Sequence, residues 1–331
     1  MSESIYVFSS GKLQRKHNTI YFENNEGARK YIPIENTREI HIFGEVSLNK
    51  EILEYLSKKE ILLHFYNYYG YYSGSFYPRE HYNSGYLILK QAEHYLDEEK
   101  RLTLAKSFVR GALQNMEKVL NYYENRGLEL SPLIEKINSF FQSAEEQETI
   151  ERLMAIEGNA RQIYYSSFDL IVNDQEFSLE SRTKRPPTNR MNALISFGNS
   201  LLYTIVLSEI YKTHLDPRIG YLHTTNFRRF TLNLDVAEIF KPILIDRVIF
   251  YLLNKKVIGP KNFNERLGGI YLDEPGRRAF VERLEERLKT TINHTKVGKQ
   301  VSYRRLIRLE LYKLEKHLMG EENYAPFGAE W

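Results

Sequence analysis

Short runs of β-branched and aromatic residues, each closed by polar or turn-forming residues, fill the first part of the chain. Residues 5–8, 19–23, 31–34, 39–43, 61–66 and 71–77 predict strands. Within 39–43 apolar Ile40 and Ile42 alternate with polar Glu39 and His41, and Asn24-Asn25-Glu26-Gly27 reads as a turn. One stretch, 46–58, has helical spacing instead, with Leu48, Ile52, Leu53 and Leu56 on one face. After Pro78 the period lengthens to that of helices, predicted over 97–125, 132–142, 148–172, 190–214, 235–253, 274–293 and 302–319. Gly127 closes the first of these, and Pro132 sits where a first helical turn tolerates it. The pattern predicts an α+β chain: a small N-terminal β-sheet domain over residues 1–85, then a larger all-α C-terminal domain over 86–331. The boundary falls in a stretch carrying Pro78, Asn83, Ser84 and Gly85.

Composition adds limits. With 42% hydrophobic and 27% charged residues over 331 positions, the chain suits two globular domains rather than disorder. The absence of cysteine excludes disulfides, thiolate metal sites and a cysteine nucleophile, and fits a cytoplasmic setting. The start has no basic leader followed by an apolar stretch, so no secretory signal is expected. Residues 191–208 carry no charge, yet Asn192, Ser196, Asn199 and Ser200 interrupt them and Glu209 follows. A buried core helix is expected there, not a membrane span. The net charge of +3 says little by itself. Local clusters say more: Arg182, Lys184, Arg185 and Arg190 in one, Arg228 and Arg229 in another, close to His223. Each reads either as a polyanion contact or as solvated surface. The five tyrosines between Tyr66 and Tyr72 suit a core or an interface better than base stacking.

Three segments carry candidate chemistry. Glu157 falls inside the apolar stripe Leu153, Ala160, Tyr164, Phe168, Ile171, where a carboxylate needs either an ion-pair partner, with Arg161 one turn on, or a metal. His223 ends Gly220-Tyr221-Leu222-His223 and is either a hydrogen-bonded structural group or a ligand. Asp235 and Glu238, three apart, share a helix face and either enter the same site or favour the helix start, with Asp235 as its cap. Taken together, two carboxylates and one imidazole without thiolate suit Mg²⁺ or Mn²⁺, and phosphoryl transfer is the natural reaction class for such an ion beside basic residues. Asn192, Ser196, Asn199 and Tyr203 form a polar line on the apolar helix, serving either as a helix–helix seam or as support for metal ligands.

These residues resemble the CRISPR adaptation integrase family, the first-numbered CRISPR-associated protein. The resemblance spans essentially the whole chain. Its fragments are Ile156-Glu157-Gly158-Asn159-Ala160-Arg161 with Tyr164, then Lys184-Arg185-Pro186-Pro187. Asn192-Ala193-Leu194-Ile195-Ser196-Phe197-Gly198 and Leu201-Leu202-Tyr203 follow, then Gly220-Tyr221-Leu222-His223, and finally 234–242 with the order Leu-Asp-Val-Ala-Glu-Ile-Phe-Lys-Pro. The resemblance implies that Glu157, His223 and Glu238 are the catalytic metal ligands for Mg²⁺ or Mn²⁺, with Asp235 an accessory acid. It implies a homodimer formed through the N-terminal domains, and joining of short foreign DNA to a CRISPR array by transesterification with a small second CRISPR-associated protein. Lys184, Arg185, Arg228 and Arg229 are the expected DNA contacts, and no membrane is involved. Lys241 stands where arginine is common and Thr224 where an acid is often found, neither of them expected to touch the metal set. Two other readings stay open: a stand-alone metal nuclease for branched or damaged DNA, and a non-catalytic DNA-binding scaffold. The tail, 320–331, is either disordered or a docking segment.

Overall fold

The structure is a computed structural model and describes residues 3–79, 82, 84–225, 230–294 and 298–329, the side chain of His294 excepted. The chain divides into two compact units, Met1–His81 and Tyr82–Trp331.

The first unit holds β1 (Glu3–Val7), β2 (Gly11–Lys16), β3 (Thr19–Asn24), β4 (Arg29–Ile32), β5 (Thr37–Ile42), β6 (Val46–Ser47), α1 (Lys50–Lys58), β7 (Leu62–Tyr66) and β8 (Tyr72–Phe76). They form two four-stranded sheets, ordered β1-β5-β7-β8 and β4-β3-β2-β6. In the first, β1, β5 and β7 run parallel and β8 antiparallel. Ile40 and Ile42 of β5 join Val7, Leu13, Ile20, Ile32, Ile52, Leu56 and Leu63 in one apolar core that draws on both sheets and on α1. The alternation along β5 does not mean a wet face. Glu39 and His41 are fully buried, with the Ser4 hydroxyl donating to Glu39 at 2.6 Å and His41 Nδ1 2.9 Å from the Tyr66 hydroxyl. Strand β2 escapes the pattern because Leu13 is its one large apolar residue.

The second unit is mostly helical: α2 (Gly85–Leu96), α3 (Glu98–Glu124), α4 (Ser131–Glu145), α5 (Ile150–Tyr165), α6 (Ser167–Val172), α7 (Arg190–Ile210), α8 (Leu232–Lys241), α9 (Arg247–Asn254), α10 (Glu274–Lys289) and α11 (Tyr303–Leu318). Two short hairpins that the periodicity does not predict, β9 (Phe263–Arg266) with β10 (Gly269–Leu272) and β11 (Thr291–His294) with β12 (Lys299–Ser302), sit between the last helices. Helix α7 is the central element. Asn189 caps it, accepting from the Asn192 N–H at 2.8 Å, and nearly all its residues are buried. It is long and apolar enough to cross a membrane, but 89% of its apolar window is buried inside the protein. Gly198 lets Ile245 and Phe280 close in, for a Cβ there would lie 2.5 Å from Ile245 and 2.7 Å from Phe280.

The single helix expected over 235–253 is interrupted. Proline has no N–H to donate and its ring clashes with the preceding turn, and from Pro242 to Asp246 the chain makes a π-helical turn between α8 and α9. The tail docks on its own unit. Tyr324 donates to Glu310 at 2.6 Å, and Asn115 of α3 donates to the carbonyls of Ile239 (2.8 Å) and Phe327 (3.0 Å) while accepting from Ala329 at 2.8 Å. Phe327 stacks on Phe240, so the tail braces the back of α8.

Candidate metal centre and its basic rim

Helix α5 turns Leu153, Ala160 and Tyr164 inward, and Thr149 caps its start. Glu157 lies at the edge of that stripe, its side chain 21% exposed, while Arg161 one turn later is buried. The guanidinium is the hub. Arg161 Nη2 donates to Glu157 Oε1 at 3.1 Å and to Glu238 Oε2 at 2.6 Å, so two carboxylates far apart in sequence converge on one nitrogen. Glu238, on α8, also takes the ammonium of Lys241 on its other oxygen. Lys241 does therefore touch the expected metal set, contrary to the sequence expectation, because positions three apart on α8 face the same way. Its ammonium sits 5.0 Å from the Tyr203 ring of α7, a cation–π contact.

Asp235 does not cap α8, which begins earlier, at Leu232. Instead its fully buried carboxylate organises the loop before the helix. Oδ2 accepts from the N–H groups of Tyr221 (2.5 Å) and Leu222 (3.0 Å), and Oδ1 from the His223 N–H (2.9 Å). His223 Nδ1 also lies 2.8 Å from Oδ1. A carboxylate only accepts, so this contact fixes Nδ1 as the protonated nitrogen of the neutral ring and leaves Nε2 with the lone pair. Gly220 is required here: a Cβ would lie 2.9 Å from Asp235 Oδ2 and 2.7 Å from the Thr231 carbonyl carbon. Asp235 is thus a positioning group for His223.

The electrostatics follow from this crowding. Burial pushes Glu238 toward the neutral form, but Lys241, Arg161 and His223 outweigh it and hold its carboxyl down at about 2. Burial likewise disfavours charged Arg161 and Lys241, and in both the carboxylate of Glu238 prevails, raising them. For His223 burial lowers the pKa, but Asp235's hydrogen bond and charge outweigh it and leave the ring above its ordinary value. Lys184, although exposed, is shifted down, first by partial desolvation and then by the charges of Lys241 and Arg182. It belongs to the same field of charge.

The loop bearing Lys184 and Arg185 is tied to α7 by the polar line. Asn192 accepts from Arg182 (2.8 Å) and from the Thr183 N–H (3.1 Å) and donates to the Ser181 carbonyl (2.8 Å); Ser196 accepts from Arg182 at 2.9 Å. Asn192 and Ser196 therefore anchor the basic loop, while the last member of the line, Tyr203, faces Lys241 of α8 across the two helices. Arg190 pairs with Glu176 at 2.7 Å. Arg228 and Arg229 lie outside the described residues.

Among the described residues no three His, Asp or Glu side chains are gathered to hold an ion as they stand. The donors nevertheless suit one in kind: two carboxylates and an imidazole with Nε2 available. Arg161 Nη2, placed between Glu157 and Glu238, is a stand-in for a cation at that point. A hard divalent ion fits once the two glutamates turn from the guanidinium.

The profile of the family described as CRISPR associated protein Cas1 matches residues 5–286. The chain belongs to the Cas1 family. It is 62% identical, over all of both chains, to the CRISPR-associated endonuclease Cas1 2 of Thermodesulfovibrio yellowstonii. The solved structure of a CAS1 protein from Thermotoga maritima superposes with a TM-score of 0.89 at 52% identity, covering 99% of this chain and 100% of that one. A casposase bound to an integration product shares the fold, with a TM-score of 0.89 at 19% identity over 100% of this chain and 95% of its own. Sequence reasoning on the Cas1 pattern named Glu157, Glu238, His223 and Asp235, of which the first two meet at Arg161 and the last two meet each other. It missed Asp246, a buried acid at the end of the π-helical turn, although one carboxylate closing the apolar run Pro242-Ile243-Leu244-Ile245 is itself a signal.

Proposed function

We propose that the protein is a divalent-metal-dependent DNA integrase and endonuclease that joins short foreign DNA segments to a CRISPR array. Glu157, His223 and Glu238 would hold Mg²⁺ or Mn²⁺, with Asp235 orienting His223. The observation that carries this reading is the shared contact of Glu157 and Glu238 with one Arg161 nitrogen, beside an imidazole whose Nδ1 is fixed by a buried carboxylate. Relatives of high identity are named endonucleases, and a casposase of the same fold holds an integration product, which supports the choice of DNA.

The reaction is a transesterification. A DNA 3′-hydroxyl attacks an array phosphorus in line; one P–O bond forms, one breaks, and the displaced 3′-oxygen takes up a proton. When bound, the ion supplies Lewis acidity to the phosphate and lowers the pKa of the attacking hydroxyl. The chain's own groups do the remaining work. Asp235 keeps the proton of His223 on Nδ1, so that Nε2 presents its lone pair. Lys241 and Lys184 add positive charge where the phosphate would gain negative charge. Lys184, Arg185, Arg228 and Arg229 would hold the DNA backbone without reading its bases. Water in place of the 3′-hydroxyl turns the same site into a nuclease. Two copies would pair through their N-terminal β units and act with the small second CRISPR-associated protein.

The test is strand transfer of a labelled short duplex into supercoiled DNA, with that partner present and Mn²⁺ added or omitted. Joining that needs Mn²⁺ and is lost in Glu157→Ala, His223→Ala and Glu238→Ala is the expected result. Metal-dependent cleavage without joining would favour the stand-alone nuclease, and joining unaffected by the substitutions would refute the assignment of the site.

A further inference from the structure

A buried polar group that feels the charge of Arg161 is left unused by the proposed chemistry. Asp246 ends the π-helical turn and is 1% exposed, and its Oδ2 has no hydrogen-bond partner. Arg161 Nη1 and the Tyr164 hydroxyl are buried without partners as well. Orphaned buried polar atoms are uncommon and each costs free energy, so three belonging to neighbouring residues ask for a reason. The three do face one another electrostatically. Burial pushes the Asp246 carboxyl up to about 7, Arg161 is the charged neighbour that most opposes this, and the Tyr164 hydroxyl lies close to the carboxyl without reaching good hydrogen-bond geometry.

Consider what an ion does to the charges. Arg161 now serves Glu157 through Nη2 and Nε and Glu238 through Nη2. A divalent cation bound by the same two carboxylates takes those oxygens and leaves a buried guanidinium without its anions, beside a dication. An uncompensated buried charge is strongly destabilising. Nη1 is the unpartnered nitrogen of that guanidinium, and after Glu238 and Glu157 the carboxylate whose charge acts on Arg161 is Asp246.

We propose that Asp246 is a positioning residue, the counter-anion that receives Arg161 when Glu157 and Glu238 turn to a divalent cation, with the Tyr164 hydroxyl completing the contact. The inference rests on the metal reading above and names what makes that site able to open. Arg161 is then a competitor of the metal in one arrangement and a neutralised bystander in the other, and Asp246 sets the balance between them.

The experiment is Mn²⁺ titration without DNA, with free Mn²⁺ followed by electron paramagnetic resonance, on the wild type, Asp246→Asn, Arg161→Gln and the double variant. Asparagine is nearly isosteric, and thermal melting checks each fold. Wild type is expected to bind, Asp246→Asn to bind about 10-fold more weakly or worse, and the Asp246→Asn loss to vanish in the Arg161→Gln background. Wild-type affinity in Asp246→Asn, or an equal loss in both backgrounds, would overturn the inference while leaving the metal site standing. No Mn²⁺ binding by the wild type, or unchanged binding by Glu238→Ala, would remove the metal reading itself. Should Asp246→Asn fail to fold, Tyr164→Phe carries the same comparison: a loss of about twofold or more with Arg161 present and none without it supports the inference, and no loss in either overturns it.

Discussion

Replacing Asp235 by asparagine should unseat His223 and destabilise the helical unit at once. The carboxylate accepts four hydrogen bonds, from the N–H groups of Tyr221, Leu222 and His223 and from His223 Nδ1. Each oxygen receives two of them. Asparagine offers one oxygen and one NH₂, so whichever way it turns, two donors meet a donor. A buried donor left unsatisfied costs about 1–3 kcal/mol, and allowing for relaxation of the loop the total is about 3 kcal/mol. For a unit of this size that is about 6–12 °C in Tm. The loss has a pH signature. His223 has a raised pKa in the folded protein because Asp235 stabilises its protonated form against burial. Its share of stability is therefore complete below the ordinary histidine value of about 6.5 and disappears as pH rises through the higher folded value. The Tm gap between wild type and Asp235→Asn should thus be widest in mild acid and narrow, without closing, in mild base. Calorimetric melts at both pH values, with the His223 ring followed by NMR in metal-free protein, make the measurement. A variant melting within about 2 °C of wild type at both pH values, with an unmoved His223 titration, would refute the reasoning.

Glu238→Ala should be worse tolerated than Glu157→Ala, because it leaves Arg161 and Lys241 buried without their shared anion; a loss of about 3–5 kcal/mol is expected in urea unfolding, against about 1 kcal/mol for the partly exposed Glu157. Neutralising Lys184, Arg185, Arg228 and Arg229 together should weaken DNA binding and flatten the log–log salt dependence by about 0.9 for each phosphate no longer neutralised, read by fluorescence anisotropy at several ionic strengths; an unchanged slope would exclude these residues from the DNA interface. Asn115→Ala should loosen both the tail and α8, since one side chain holds Ile239, Phe327 and Ala329, and faster amide exchange across residues 234–241 is the expected readout.

Much of this was legible along the chain because burial repeats with secondary structure. The stripe Leu153, Ala160, Tyr164 marked α5, and the uncharged run from Met191 marked the core helix α7. Other features left weak traces. Strand β2 has one large apolar residue, and α2 starts inside the Ser84-Gly85 stretch that reads as a linker, although Ser84 is its cap. The break at Pro242 was written in the sequence, yet helical periodicity continues through it and conceals the π-helical turn. In the site, spacing placed Asp235 and Glu238 on one face but could not tell capping from ligation. Their surroundings are tertiary and lie outside what spacing carries: Gly220 admits the Asp235 carboxylate to the backbone of the loop, and Arg161 gathers Glu157 to Glu238 across the fold. Lys241 was legible as a residue type but not as a partner of Glu238. Asp246 carried a signal, a lone acid closing an apolar run, that periodicity alone does not interpret.

The central claim is that Glu157, His223 and Glu238 share one divalent ion. It is tested most directly by growing crystals with Mn²⁺ and mapping its anomalous scattering. The account predicts one strong peak bonded to a carboxylate oxygen of each glutamate and to His223 Nε2, with the Arg161 guanidinium turned away from both. A peak bonded elsewhere, or none at saturating Mn²⁺ with Arg161 still joining Glu157 to Glu238, would contradict it.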